Sequence, residues 1–161
     1  MKQILLTLIL SALLLFSCNS NESNNGMQFE TSILLPDFNI PIVEFSILDN
    51  SYNFIIDSGS EESYLNESLY NAYLYSLQIT DTIYSSIQTF SGDTELNKFY
   101  EVNVFLNDTI SAKMIVINMD NIVENIFINS GKRVYGVIGS DILTEYNAVI
   151  DYKNKRLRLS R

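Results

Sequence analysis

Histidine is absent from the 161-residue chain, and that absence excludes more chemistry than any other feature of its composition. Without it there is no Ser-His-Asp or Cys-His catalytic arrangement and no His-ligated metal site. Cysteine occurs once, at Cys18, so neither an internal disulfide nor a thiolate cluster can form. Positive charge is also scarce: 10 Lys and Arg stand against 19 Asp and Glu, a net charge of −9. Such a chain does not gather nucleic acid or anionic lipid nonspecifically, so no nucleic-acid partner is expected. Two prolines and six glycines leave few breakers, which favours long strands. Ser130-Gly131-Lys132 has the end of a phosphate loop but not its earlier Gly or its following Ser/Thr. A Ser-Lys hydrolase built on Lys98, Lys113 or Lys132 stays open, although nothing in the sequence sets a serine beside any of them. Carboxylate chemistry is the route the composition supports best, with no cofactor and no metal implied.

What is present points the same way. Tyr52-Asn53-Phe54-Ile55-Ile56 has the composition of a buried strand, and Asp57-Ser58-Gly59 follows it directly. A carboxylate that activates water must be held rigidly and near the surface, and a strand end supplies both. Gly59 is expected to turn the chain at positive φ and bring backbone N–H groups toward the carboxylate. Ser58 and Ser60 offer hydroxyls that could brace the loop. The plainer reading is an Asx-type turn in which Asp57 bonds the backbone two residues on. Eighty residues later comes a second apolar-apolar-Gly segment, Val137-Ile138-Gly139, opening Ser140-Asp141-Ile142-Leu143.

Taken together, these segments resemble the retropepsin-like aspartic proteases, in particular the bacterial single-domain members. Ile55-Ile56-Asp57-Ser58-Gly59-Ser60 matches the family pattern apolar-apolar-Asp-Thr/Ser-Gly-Ala/Ser at every position. Val137-Ile138-Gly139 is similar to the family's later element, which packs near the site. Tyr146 to Tyr152 and Lys155 to Leu159 resemble its closing hairpin, and Ser91-Gly92 falls where a flap hairpin would stand. The resemblance implies an all-β fold with one or two short helices, a closed-barrel half expected as a homodimer. It implies an aspartic endopeptidase acting on a peptide or protein substrate, with Asp57 from each chain sharing one proton and one water. Ser58 would brace the dyad loop and Gly59 its turn. No second Asp-Thr/Ser-Gly occurs: Ile150-Asp151-Tyr152 lacks the Gly turn and Ser91-Gly92-Asp93 reverses the order. The chain thus encodes half of such a site, and the other half must come through a twofold axis. The alternative is a noncatalytic lipoprotein of the same fold that captures peptides or proteins.

The N-terminus reads as a lipoprotein signal over residues 1–17. Lys2 is its positive region, and Ile4 to Phe16 form an apolar stretch too short to span a membrane comfortably. Leu15-Phe16-Ser17-Cys18 is similar to a lipobox, with Phe16 bulkier than usual, so Cys18 is the expected lipidation site. Residues 18–26 read as a flexible tether and 27–161 as one domain. The implied location is the bacterial cell envelope, on the periplasmic or surface side, with the membrane engaged through lipid on Cys18.

Within the domain, Phe29 to Leu35 and Ile40 to Leu48 are strand candidates, the second turning at Asp49-Asn50 into the strand that delivers Asp57. Leu65 to Leu77 has helical spacing, with Ser63 or Asn66 as a cap and a Tyr-rich face packed in the core. Glu101 to Leu106 and Ile110 to Asn118 form a hairpin about Asn107-Asp108. Ile122 to Ile128 fits either a strand or a short helix. Val134 to Ile138 is a strand, followed by a helix from Ser140 to Tyr146 with Ser140 as N-cap. Asp141 is expected to favour the N-terminus of that helix rather than to bond back to the Asp57 turn. Glu61 and Glu62 read as a solvated acidic corner more readily than as a subsite for basic peptides.

Overall fold

The computed structural model describes residues 28–36, 40–74, 76–88 and 94–161. Cys18 with the signal and tether segments lies outside them, as do Ser91 and Gly92 of the expected flap.

Among the described residues, ten strands and three short helices follow one another. They are β1 (Gln28–Leu34), β2 (Ile42–Ile47), β3 (Asn50–Ile56), β4 (Tyr64–Asn66), α1 (Glu67–Ala72), β5 (Gln78–Gln88) and β6 (Thr94–Leu106). After these come β7 (Ile110–Ile117), α2 (Asp120–Ser130), β8 (Val134–Ile138), α3 (Ser140–Glu145), β9 (Val149–Asp151) and β10 (Arg156–Ser160). This mainly-β order is consistent with the expected retropepsin-like fold, with three helices where one or two were expected.

All ten strands join one sheet in the order β5-β6-β7-β4-β8-β3-β2-β1-β10-β9. The expected barrel is not closed: β5 and β9 stand at opposite ends and do not pair. β9 is three residues long and pairs only with β10, too little to bridge to the far edge. β1 changes partner midway, with Gln28 to Ser32 on β10 and Ile33 and Leu34 on β2.

Apolar alternation builds the core. Ile110, Ala112, Met114 and Val116 of β7 are buried, as are Leu157 and Leu159 of β10. They belong to a main cluster with Phe45, Phe54 and Ile56. Ile42, Ile55, Val134, Met119, Val123 and Ile126 form a second cluster beneath α2. β3 therefore sends Phe54 and Ile56 to one core and Ile55 to the other. A central strand covered on both faces reads as an unbroken apolar run, which is why Phe54-Ile55-Ile56 shows no alternation.

Several local expectations shift. Leu65 to Leu77 is not one helix: Tyr64 to Asn66 pair with β7 and β8, and sheet hydrogen bonds override the helical spacing there. Helix begins only at Glu67, and Asn66 holds the cap position without a side-chain cap bond. Asn66 Oδ1 instead accepts from the Met119 N–H at 3.2 Å. The turn into β3 is Leu48-Asp49, both left-handed, one residue earlier than expected. Asn107-Asp108 does turn the β6–β7 hairpin, again with both φ positive. Ile122 to Ile128 is helical, and α2 stops at Gly131, whose φ of 68° suits a residue without Cβ. The tyrosine face packs internally: Tyr70 stacks on Tyr100, and Tyr73 meets Tyr52 edge-on. Burial, then the hydrogen bond to Tyr73, pushes the Tyr52 hydroxyl up to about 12, so it stays protonated and structural.

Candidate active site

Asp57 sits where β3 leaves the sheet beside β8. The two strands run parallel, with Phe54 opposite Gly136, Ile55 opposite Val137 and Ile56 opposite Ile138. The Asp57 N–H continues the ladder to the Ile138 carbonyl at 3.0 Å, so its backbone is held on the strand while its side chain is exposed. The Gly59 N–H donates to Asp57 Oδ1 at 3.0 Å, and the Ser60 N–H donates to the Asp57 carbonyl at 3.1 Å. Gly59 does not take the expected positive φ; among the described glycines only Gly131 does. A Cβ at Gly59 would lie 3.2 Å from Asp57 Oδ1, a tight approach that the carboxylate would have to yield to by a few tenths of an ångström.

The loop is locked to the segment after β8. The Ser140 N–H donates to the Ser60 carbonyl at 2.8 Å, and Ser60 Oγ donates to the Glu62 carbonyl at 2.7 Å. Ser63, 1% exposed, ties the two chain segments together. Its N–H donates to Asp141 Oδ2 at 3.1 Å and its hydroxyl to Asp141 Oδ1 at 2.6 Å, while that hydroxyl accepts from the Gly139 N–H at 2.8 Å. Asp141 thus bonds back toward the Asp57 loop, contrary to the expectation that it serves only its helix. Nor is Ser140 the N-cap of α3: Gly139 holds that position, and Ser140 Oγ donates to the Glu61 carbonyl at 3.4 Å. No local sequence signal marks Ser63 and Asp141 as partners, because they are 78 residues apart.

Asp141→Ala is accordingly expected to leave the buried Ser63 N–H and hydroxyl without their acceptor. That costs about 1–3 kcal/mol. Asp141→Asn, which keeps one carbonyl oxygen, should cost less; paired thermal denaturation curves measure the difference.

Beside Asp57 lies a groove of about 870 Å³. Ile40, Pro41, Ile55, Ile56 and Val137 give it apolar walls, and α2 closes one side with Ile122 and Ile126 among three asparagines. Among the described residues, Asp57 is the one ionisable side chain lining it. Glu61 and Glu62 are exposed and do not line it; Glu62 borders a separate polar pocket with Asp141 and Lys113.

Ser58 is exposed in the turn, and its hydroxyl has no partner among the described residues. Val137 and Ile138 carry the β8 side of the ladder and Gly139 begins the lock. The lysines of a Ser-Lys alternative stand elsewhere. Lys113 pairs with Glu101 at 3.6 Å, and Lys98 lies over the Tyr100 ring, whose hydroxyl raises its pKa, the reverse of what a catalytic base needs. Ser130-Gly131-Lys132 closes the C-terminus of α2, where no phosphate loop could precede a helix.

No family model matches the chain, and no curated protein does. Among solved structures, the chain is similar to a retropepsin-like aspartic protease from Rickettsia conorii. The TM-score is 0.48 and the identity 15%, over 84% of this chain and 94% of that one. It is also similar to the retroviral protease-like domain of Ddi1 from Leishmania major, with TM-score 0.46 and identity 15%, over 74% of this chain and 87% of that one. Neither likeness bears on which residues react.

Proposed function

We propose that the chain is an aspartic endopeptidase whose reacting pair is Asp57 from each of two copies. One observation carries this reading. An exposed carboxylate, fixed by a parallel strand pair and a backbone donor, is the one ionisable side chain among the described residues at the wall of an apolar groove. A groove of this volume can take several residues of peptide, and its carboxylate has no acid or base partner among the described residues.

A second Asp57 brought alongside would share one proton with the first, since two close carboxylates do not both ionise readily. The ionised member takes a proton from water as the water oxygen attacks the scissile carbonyl carbon. The protonated member donates to the carbonyl oxygen, and collapse of the tetrahedral species passes a proton to the leaving amine. Ser58 would brace the paired loops, and Ser91-Gly92 would belong to a flap over the substrate. Lipid on Cys18 would hold the protein at the cell envelope and confine copies to two dimensions, which raises their effective concentration.

The single carboxylate per groove also favours a second reading, a lipoprotein that holds peptides without cutting them. Peptide cleavage by the purified chain, followed against protein concentration, separates the two. A dimeric protease gives a rate that rises more than linearly at low concentration. Silence at every concentration, with a folded monomer, supports the binding protein.

A further inference from the structure

The α2 wall of the groove has a regular feature. Asn121, Asn125 and Asn129 recur at every fourth residue of the helix, and all three line the groove that holds Asp57. Four residues of helix rise about 6 Å. An extended peptide repeats the groups on one of its edges every two residues, about 6.6 Å. Three carboxamides at this spacing match successive backbone positions along one edge of a strand.

Their bonding state fits such a role. Asn129 Nδ2 donates to Asn125 Oδ1 and to the Asn125 carbonyl, both at 2.7 Å, which links two rungs. Asn125 Nδ2 and Asn129 Oδ1 have no partner among the described residues, nor has the side chain of Asn121. Each carboxamide carries both donors and acceptors, so a row of them can meet the alternating N–H and C=O groups of a backbone edge. Ile122 and Val137 beside them offer apolar contact to alternate side chains.

The geometry points to a backbone-reading rail: Asn121, Asn125 and Asn129 hold one edge of an extended peptide segment that is uncharged where it meets the groove, with apolar side chains at alternate positions. This rests on the groove being the peptide site proposed above, and it adds what is read there, the backbone edge rather than a charged side chain.

The test uses the full chain carrying Asp57→Asn, so that binding is measured without turnover. The probe is a fluorescein-labelled ten-residue peptide of alternating valine and threonine with a lysine at each end. Two further versions are N-methylated, one on the valine amides and one on the threonine amides. Each methylated set blocks the opposite edge of the strand. The rail predicts that one set loses affinity and the other does not, by about fivefold for each bond lost. Asn121→Ala, Asn125→Ala and Asn129→Ala combined should weaken the unmethylated peptide and abolish the difference between the two sets. Alanine is the better helix former, so these variants keep α2, and circular dichroism checks it.

Equal loss from both sets, no effect of the alanine substitutions, or no binding of the unmethylated peptide overturns the rail. Cleavage by the unsubstituted chain separates it from the protease reading. Edge-selective binding with no cleavage leaves the rail standing and removes the protease. Cleavage whose KM is unmoved by the alanine substitutions does the opposite.

Discussion

Asp57→Asn abolishes peptide cleavage, by at least about 10²–10⁴-fold, and leaves the fold intact. The size follows from the role: general acid–base chemistry contributes on that order, and each dimer loses both of its ionisable groups at once. Stability is spared because the side chain is exposed and has one described bond, from the Gly59 N–H to Oδ1. An asparagine can present its carbonyl oxygen to the same donor. Superimposable circular dichroism and an unchanged melting temperature, with cleavage gone, are the expected pair of observations. Cleavage that survives the substitution assigns the activity to other groups.

Gly139→Ala acts through packing and carries the largest expected loss of stability. A Cβ at this position would lie 2.4 Å from the Glu62 carbonyl oxygen and 2.7 Å from its carbon, both backbone atoms. Neither side can give way easily. The Gly139 N–H is held by Ser63 Oγ, and the next N–H, that of Ser140, by the Ser60 carbonyl. Relief requires the two chain segments to part, at a cost of about 1–3 kcal/mol or somewhat more. Since Ser60 also donates to the Asp57 carbonyl, the displacement reaches the reacting loop. The melting temperature falls and cleavage falls further than the loss of folded protein explains. Gly131→Ala is the informative contrast. Its Cβ would meet nothing within 4 Å, and only the φ of +68° opposes it, so it should cost less and spare cleavage.

How much of this was legible in the sequence depended on how local the cause is. The β3 run and its acid could be read because a strand buried on both faces is apolar throughout and stops at the first charged residue. The Asn107-Asp108 turn was equally plain, for a two-residue hairpin wants residues that tolerate positive φ. Sequence and structure part where distant segments decide. Leu65 and Asn66 open a run with helical spacing, but two strands bracket them and take their backbone bonds. Ser63 looked like a cap and Asp141 like a helix-end charge; each is really the other's partner across the fold. Residue type alone suggests a left-handed turn at Gly59, whereas its φ is ordinary and a Cβ there would only crowd the Asp57 carboxylate. The asparagine row of α2 is not legible in the sequence, because Ile122 to Ile128 fits a strand as well as a helix. Residues 121, 125 and 129 would share a face in either conformation, but only the helix sets them about 6 Å apart.

The central claim is that two copies of Asp57 react together, and mixing chains tests it most directly. The unsubstituted protein is held at a concentration where cleavage per chain has levelled off, and Asp57→Asn chain is added with time for exchange. If the reacting pair is shared, inactive mixed dimers form, the rate falls to roughly half at one equivalent, and it keeps falling as more is added. A rate that ignores the added chain would contradict the account and place the whole chemistry within a single copy.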